Sequence, residues 1–217
     1  MASKWAKIKA VRGLVPLALI LVSAIGVFGY VVLHRKPVAP VRYDAALLRD
    51  GDIIFRRGVS VESEAVMALD GNGDYSHVGI IKFINGQPQV IHVTADEPPG
   101  SPDVTRIEPL AQYLEPARAS AAAVYRIRMD ERRFIAGALR TADGYVTARV
   151  PFDSAMDLNS PSAMYCTELV WRAYHEAGLD LVDGKFETMT TPLLRGQFIL
   201  PSTLRQSPHL EMIWASS

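Results

Sequence analysis

Apolar residues fall along this chain in three rhythms. From 14 to 33, LVPLALILVSAIGVFGYVVL runs without a charge. At a rise of about 1.5 Å per residue, about 20 such residues cross a hydrocarbon core of about 30 Å, so this run predicts a transmembrane helix. Between 77 and 94 the rhythm shortens to two. Ile- and Val-rich runs at 77–84 and 89–94 flank Asn85-Gly86, a strong hairpin signal. Other stretches have a helical period: 60–69 with Ser60 placed to cap it, 107–115 (IEPLAQYLE), 131–146 loosened by Gly137 and Gly144, and 164–178, which Ser162 can cap and Gly178 can end. Strands are predicted at 52–56, 121–128, 198–200 and 210–214. The whole reads as an α+β domain, an antiparallel sheet with packed helices, behind one N-terminal transmembrane helix.

Charge sets the orientation. Lys4, Lys7, Lys9 and Arg12 precede the apolar run, which puts residues 1–13 in the cytoplasm and the domain at 43–217 on the far side. Residues 34–42, with the Pro-rich KPVAPVR, form a linker. The expected location is a single-pass membrane protein with an extracytoplasmic domain, periplasmic in a Gram-negative host. A cleaved signal ending near Val22-Ser23-Ala24 is the alternative, but the apolar run continues well past it. Lys+Arg and Asp+Glu are each 23, so the basic surplus that nucleic-acid binding needs is missing. With 217 residues and 49% hydrophobic content, one compact domain plus an appendage is the expected organisation.

Three side chains carry candidate chemistry. Two of the five histidines, His77 and His92, sit in the hairpin strands. If Asn85 and Gly86 form a two-residue turn, Ile84 pairs with Gln87, which sets His92 opposite Gly79 and makes the two histidines diagonal neighbours on one face, with Gly79 leaving room for both rings. A four-residue turn keeps them on one face but further apart, and a three-residue turn puts them on opposite faces. Cys166 is the chain's one cysteine, so it cannot staple the fold. It is an intermolecular link, an inert buried thiol or a reactive one. Placed in the first turn of its helix, it is expected to have a lowered pKa, because helix N–H groups favour a thiolate. A sulfur beside an imidazole is a nucleophile with its proton acceptor, and a second imidazole can orient the first.

Other motifs are weaker. Asp70-Gly71-Asn72-Gly73-Asp74 imitates a calcium loop, but Tyr75 stands where glycine is required and Ile81 where glutamate is. His175-Glu176 lacks the second helical histidine of a zinc protease. Zinc held by His77, His92 and Cys166 is an alternative, although the expectation is that no metal or cofactor is needed. No Gly-x-Ser-x-Gly elbow or phosphate-binding glycine loop occurs.

Asp50-Gly51-Asp52-Ile53-Ile54-Phe55, Tyr75-Ser76-His77-Val78-Gly79, Val90-Ile91-His92 and Tyr165-Cys166-Thr167-Glu168-Leu169-Val170-Trp171 resemble the blocks of the YiiX-like permuted papain-fold amidases, a branch of the NlpC-type cysteine peptidases in which histidine precedes cysteine. The resemblance covers about Leu48 to Leu210. It implies a permuted papain-like fold, Cys166 as nucleophile, His77 as general base and His92 in the third position, where this branch is expected to carry glutamate. A neutral imidazole can orient His77 but stabilises its imidazolium less than a carboxylate would. The expected activity is hydrolysis of an amide or ester in a peptide or lipid substrate of the cell envelope. A lipid acyltransferase on the same site and a silent, membrane-tethered binding module are the alternatives.

Overall fold

The computed structural model describes residues 38–71, 73–95, 97, 99–190 and 195–216. The transmembrane segment expected at 14–33 lies outside them, and among the described residues no helix is long and apolar enough to cross a membrane. In chain order the elements are β1 (Ile53–Arg57), α1 (Val61–Leu69), β2 (His77–Ile84), β3 (Gln87–His92), β4 (Arg106–Pro109), α2 (Leu110–Tyr113), β5 (Ala121–Ile127), α3 (Ile135–Ala148), α4 (Cys166–Glu176), β6 (Glu187–Thr190), β7 (Arg195–Phe198), α5 (Pro201–Arg205) and β8 (Leu210–Ala215). Six strands form one antiparallel sheet in the order β4-β3-β2-β1-β5-β8, and β6 and β7 make a separate hairpin.

The β2/β3 hairpin has the expected register. Ile84 pairs with Gln87 and Ile80 with Ile91. Asn85 and Gly86 both take positive φ, 51° and 76°, as the tight hairpin turn requires. Ser60 caps α1 by accepting from Ser63 N at 3.2 Å. In the calcium-loop lookalike Asp70 and Gly71 lie in a turn, and the Asp70 carboxylate accepts from Ser202 N at 2.9 Å.

Three expectations differ. The strand expected at 198–200 is instead Arg195–Phe198, paired with Glu187–Thr190, and Ile199 and Leu200 lie past its end. Residues 107–115 are not one helix: Arg106–Pro109 pair with β3, and only Leu110–Tyr113 are helical. Pro109 is the cause, since it has no N–H to donate and disfavours helical backbone at Glu108. At α4 the cap is Tyr165, not Ser162, and Glu168 reaches back to accept from Tyr165 N at 3.2 Å.

The sheet separates two cores. On one face Ile53, Phe55, Val78, Ile80, Ile91 and Val93 pack with Ala138 and Ala142 of α3 and with Leu169, Val170 and Ala173 of α4. On the other, Ile54, Ile81, Val90, Ala122 and Val124 pack with Leu110 and Tyr113 of α2. Gly137 lets α3 approach the end of α4, because a Cβ there would come within 2.9 Å of Ala177 Cβ. These contacts fix α4, and with it Cys166, against β2.

Candidate active site

His77 opens β2 and His92 closes β3. Alternation puts both rings on the Ile81/Val90 face, against Tyr113, whose ring centroid lies 5.7 Å from that of His77 and 5.2 Å from that of His92. His77 Nε2 and His92 Nδ1 are 3.0 Å apart and hydrogen-bonded. The room for this pair comes from Gly79: a Cβ there would sit 2.5 Å from Val90 Cγ1 and 3.2 Å from His92 Cβ.

The hydrogen-bonded chain continues behind His92. Its Nε2 lies 2.9 Å from Glu108 Oε1. The approach is oblique and no aligned hydrogen bond forms there, but an ionised carboxylate oxygen this close to a buried ring nitrogen is tolerated only if that nitrogen carries the proton. Arg118 grips both oxygens of Glu108, Nη2 to Oε1 at 2.6 Å and Nη1 to Oε2 at 3.0 Å. Its Nε donates to Glu97 Oε1 at 2.8 Å, and Arg56 holds the other oxygen of Glu97. Arg56 also donates to Tyr113 O at 2.9 Å and stacks over the Tyr113 ring. Arg56, Glu108 and Arg118 are 2%, 6% and 7% exposed. A buried charge is tolerated only when paired, and here each has a partner of opposite sign.

Cys166 reaches this array at the end of a strand, not through a face. The packed side of α4 meets the sheet face opposite the histidine rings. Ile81 N donates towards β1, to Asp52 O at 2.7 Å, so Val78 and Ile80 direct their N–H groups towards β3. The last β3 partner is Ile91, opposite Ile80. The Val78 N–H beyond it lies near enough to the Cys166 sulfur to favour its thiolate, as do the N–H groups of Thr167 and of Cys166 itself. The sulfur therefore lies near the start of β2, by the residue that follows His77.

The electrostatics correct one expectation. Cys166 keeps some solvent access, yet burial pushes its thiol up to about 11, outweighing the three N–H groups and Arg56, which favour the thiolate. Burial, with Arg56 adjacent, also holds His77 well below the ordinary imidazole range. The resting pair at neutral pH is thiol and neutral imidazole. For Glu108, burial alone would raise the pKa, but the hydrogen bonds from His92 and Arg118 dominate and bring it down to about 2.

Residues 47–214, which contain every group just described, match the family model for the permuted papain-like amidase enzyme, YaeF/YiiX, C92 family. The chain belongs to that family. The permuted order that the family's description names is visible in the fold, with the histidine strands preceding the cysteine helix. Among curated proteins it is 28% identical to the uncharacterized protein YiiX of Escherichia coli strain K12 over 131 residues, 58% of this chain and 57% of that one. It thus spans little more than half the length of that relative. A crystal structure of the metalloprotein YiiX from Escherichia coli O157:H7 superposes with a TM-score of 0.60 at 22% identity, covering 77% of this chain and 97% of the other, which speaks to the fold alone.

A metal does not fit the donor set found here. Both nitrogens of His92 are committed, one to His77 and one to Glu108, and His77 has a single nitrogen left. Among the described residues no group of three or more His, Cys, Asp or Glu is arranged to hold a metal ion.

Sequence reasoning named Cys166, His77 and His92 but not Glu108, Arg118, Glu97, Arg56 or Tyr113. One local signal was available. Thr105-Arg106-Ile107-Glu108 alternates polar and apolar residues and stops at Pro109, a strand pattern that puts Glu108 on one face with Arg106.

Proposed function

We propose that this C92 protein cleaves an amide or ester bond through an acyl-enzyme on Cys166, with His77 as base and His92 orienting it. The observation that carries this is the 3.0 Å bond between His77 Nε2 and His92 Nδ1, which leaves His77 one free nitrogen on the strand that the Cys166 helix packs on. The thiol proton passes to His77 Nδ1 as sulfur attacks the carbonyl carbon. The C–N or C–O bond then breaks, and His77 returns the proton to the departing amine or alcohol. Water attacks the thioester, gives a proton to His77, and the acid leaves as the thiol re-forms. We assign the oxyanion to the Cys166 N–H, because the first N–H groups of a helix have no partner within it. The substrate we assign is a peptide or lipid of the cell envelope, met by a domain that residues 14–33 anchor to the membrane.

Labelling the full chain in detergent with an activated acyl ester tests this. Wild type should take up one acyl group at neutral pH, and Cys166→Ala none. A wild-type protein that resists the probe would make the site a binding module. Transfer of the acyl group to an added amine or alcohol in preference to water would make it an acyltransferase.

A further inference from the structure

His92 stands where a carboxylate would better stabilise a protonated His77, and the structure places a carboxylate one step further back. Glu108 is clamped by Arg118 through both oxygens and sits on β4 beside the strand that carries His92. A carboxylate so held is ionised and can only accept. Its contact at 2.9 Å therefore requires the proton on His92 Nε2. A neutral imidazole has one N–H, so His92 Nδ1 is bare and must accept the bond at 3.0 Å from His77 Nε2–H. By the same count His77 Nδ1 is left without a proton.

We propose that Glu108, held by Arg118, is the positioning residue that sets both tautomers and makes His77 Nδ1 the basic nitrogen, an inference that rests on the cysteine-hydrolase reading above. When His77 takes the thiol proton, its Nε2–H bond to His92 strengthens, and the Glu108 charge is felt through the second ring. The pair His92–Glu108 so does the work of the single glutamate expected at the third position. The charged and titratable groups around the two rings and the Tyr113 ring packed on them are Arg56 from β1, Arg106 and Glu108 from β4, Tyr113 itself from α2, Arg118 after it, Glu97 from the β3–β4 loop, and Cys166 from α4. Three of these are cationic and two are ionised carboxylates. Loss of the Glu108 charge leaves the rings in a more positive surround and lowers their proton affinity.

Nitrogen-15 NMR of histidine-labelled full-length protein in detergent reads the tautomers directly. Wild type and Cys166→Ala should both show His77 and His92 protonated at Nε2 and bare at Nδ1. Glu108→Gln keeps the shape but sets an amide N–H against an Arg118 donor. It should blur that pattern and slow acylation of Cys166 by the activated ester by about 10- to 100-fold. The acid limb of its rate–pH profile should move to lower pH, a shift that mere loosening of the fold would not produce. Either histidine protonated at Nδ1 in wild type, or a Glu108→Gln profile with an unmoved limb, overturns the proposal. Absence of acylation in wild type would instead refute the hydrolase reading and leave the tautomer result standing.

Discussion

Two histidine clusters in this molecule use the same residue types to opposite ends. In the candidate site His92 meets Glu108 with its side chain 0% exposed, while near β8 His209 lies between Glu131, 2.6 Å from Nδ1, and Asp183, 2.9 Å from Nε2, with its side chain 20% exposed. Burial opposes the charged imidazole in both. At His92 it prevails over Glu108 and lowers the pKa, whereas at His209 two carboxylates and partial hydration prevail and raise it. The difference teaches that a carboxylate contact does not by itself make a charged histidine. Dehydration decides whether the ring is a neutral relay or one half of an ion pair.

The strongest way to break the comparison is to remove a ring from each cluster. His77→Gln should cut acylation of Cys166 by about 100- to 10,000-fold, the usual range for a lost general base, and His209→Gln should leave it unchanged. Equal effects would mean that the buried cluster has no special role. The resting thiol adds a check on the same assay: its alkylation by iodoacetamide should keep rising above pH 9, because the thiolate forms only near 11.

Acid separates the clusters next. Glu108 has its pKa depressed in the folded state to about 2, so its contribution is complete above the unfolded value of about 4.3 and is lost as pH falls towards 2. A shift of about two units corresponds to about 3 kcal/mol at most. Melting temperature followed from pH 6 to pH 2 should fall more steeply in wild type than in Glu108→Gln; parallel curves would remove Glu108 from the acid transition.

What the sequence could show divides along the same line. The hairpin that carries both histidines was legible because its register depends on local features, the Asn85-Gly86 turn and a period of two. The Cys166 helix was legible from its apolar stripe, although its cap was not, since Tyr165 and Glu168 cap it by a backward contact that Ser162 obscures. The ion-paired half of the site was not legible. Glu108, Arg118, Glu97 and Arg56 are brought together by strand order and loop return, and no spacing along the chain encodes that they meet. The thiol's raised pKa is of the same kind: position in a helix predicted the opposite sign, and depth of burial, a property of the whole fold, reversed it.

Gly79 sharpens the comparison from the packing side. Its missing side chain is what brings His92 within reach of His77, and a Cβ would also come within 2.8 Å of Ile91 O, a backbone atom that cannot swing away. Gly79→Ala should therefore cost about 1–3 kcal/mol, the range for overpacking a filled interior, read as a lower urea midpoint. Because the strand must shift beside His92, acylation should also slow. A stable variant of normal rate would show that the two rings do not depend on this gap.

The smallest effect belongs to the exposed cluster. His209 joins the 3-10 turn at Met129–Phe134, through Glu131, to the loop at Asp183, just ahead of β8. Its pKa is raised on folding, so the imidazolium contributes stability that is fully present below the unfolded value of about 6.5 and disappears as pH rises through the higher folded value. Screening by solvent limits the gain to about 1 kcal/mol or less. His209→Gln should lower the urea midpoint slightly at pH 5.5 and by a smaller amount at pH 8.5. The buried pair predicts no such loss of stability on the alkaline side, since its rings are already neutral, so a midpoint difference between wild type and His209→Gln that grew with pH would contradict the charge assigned to His209.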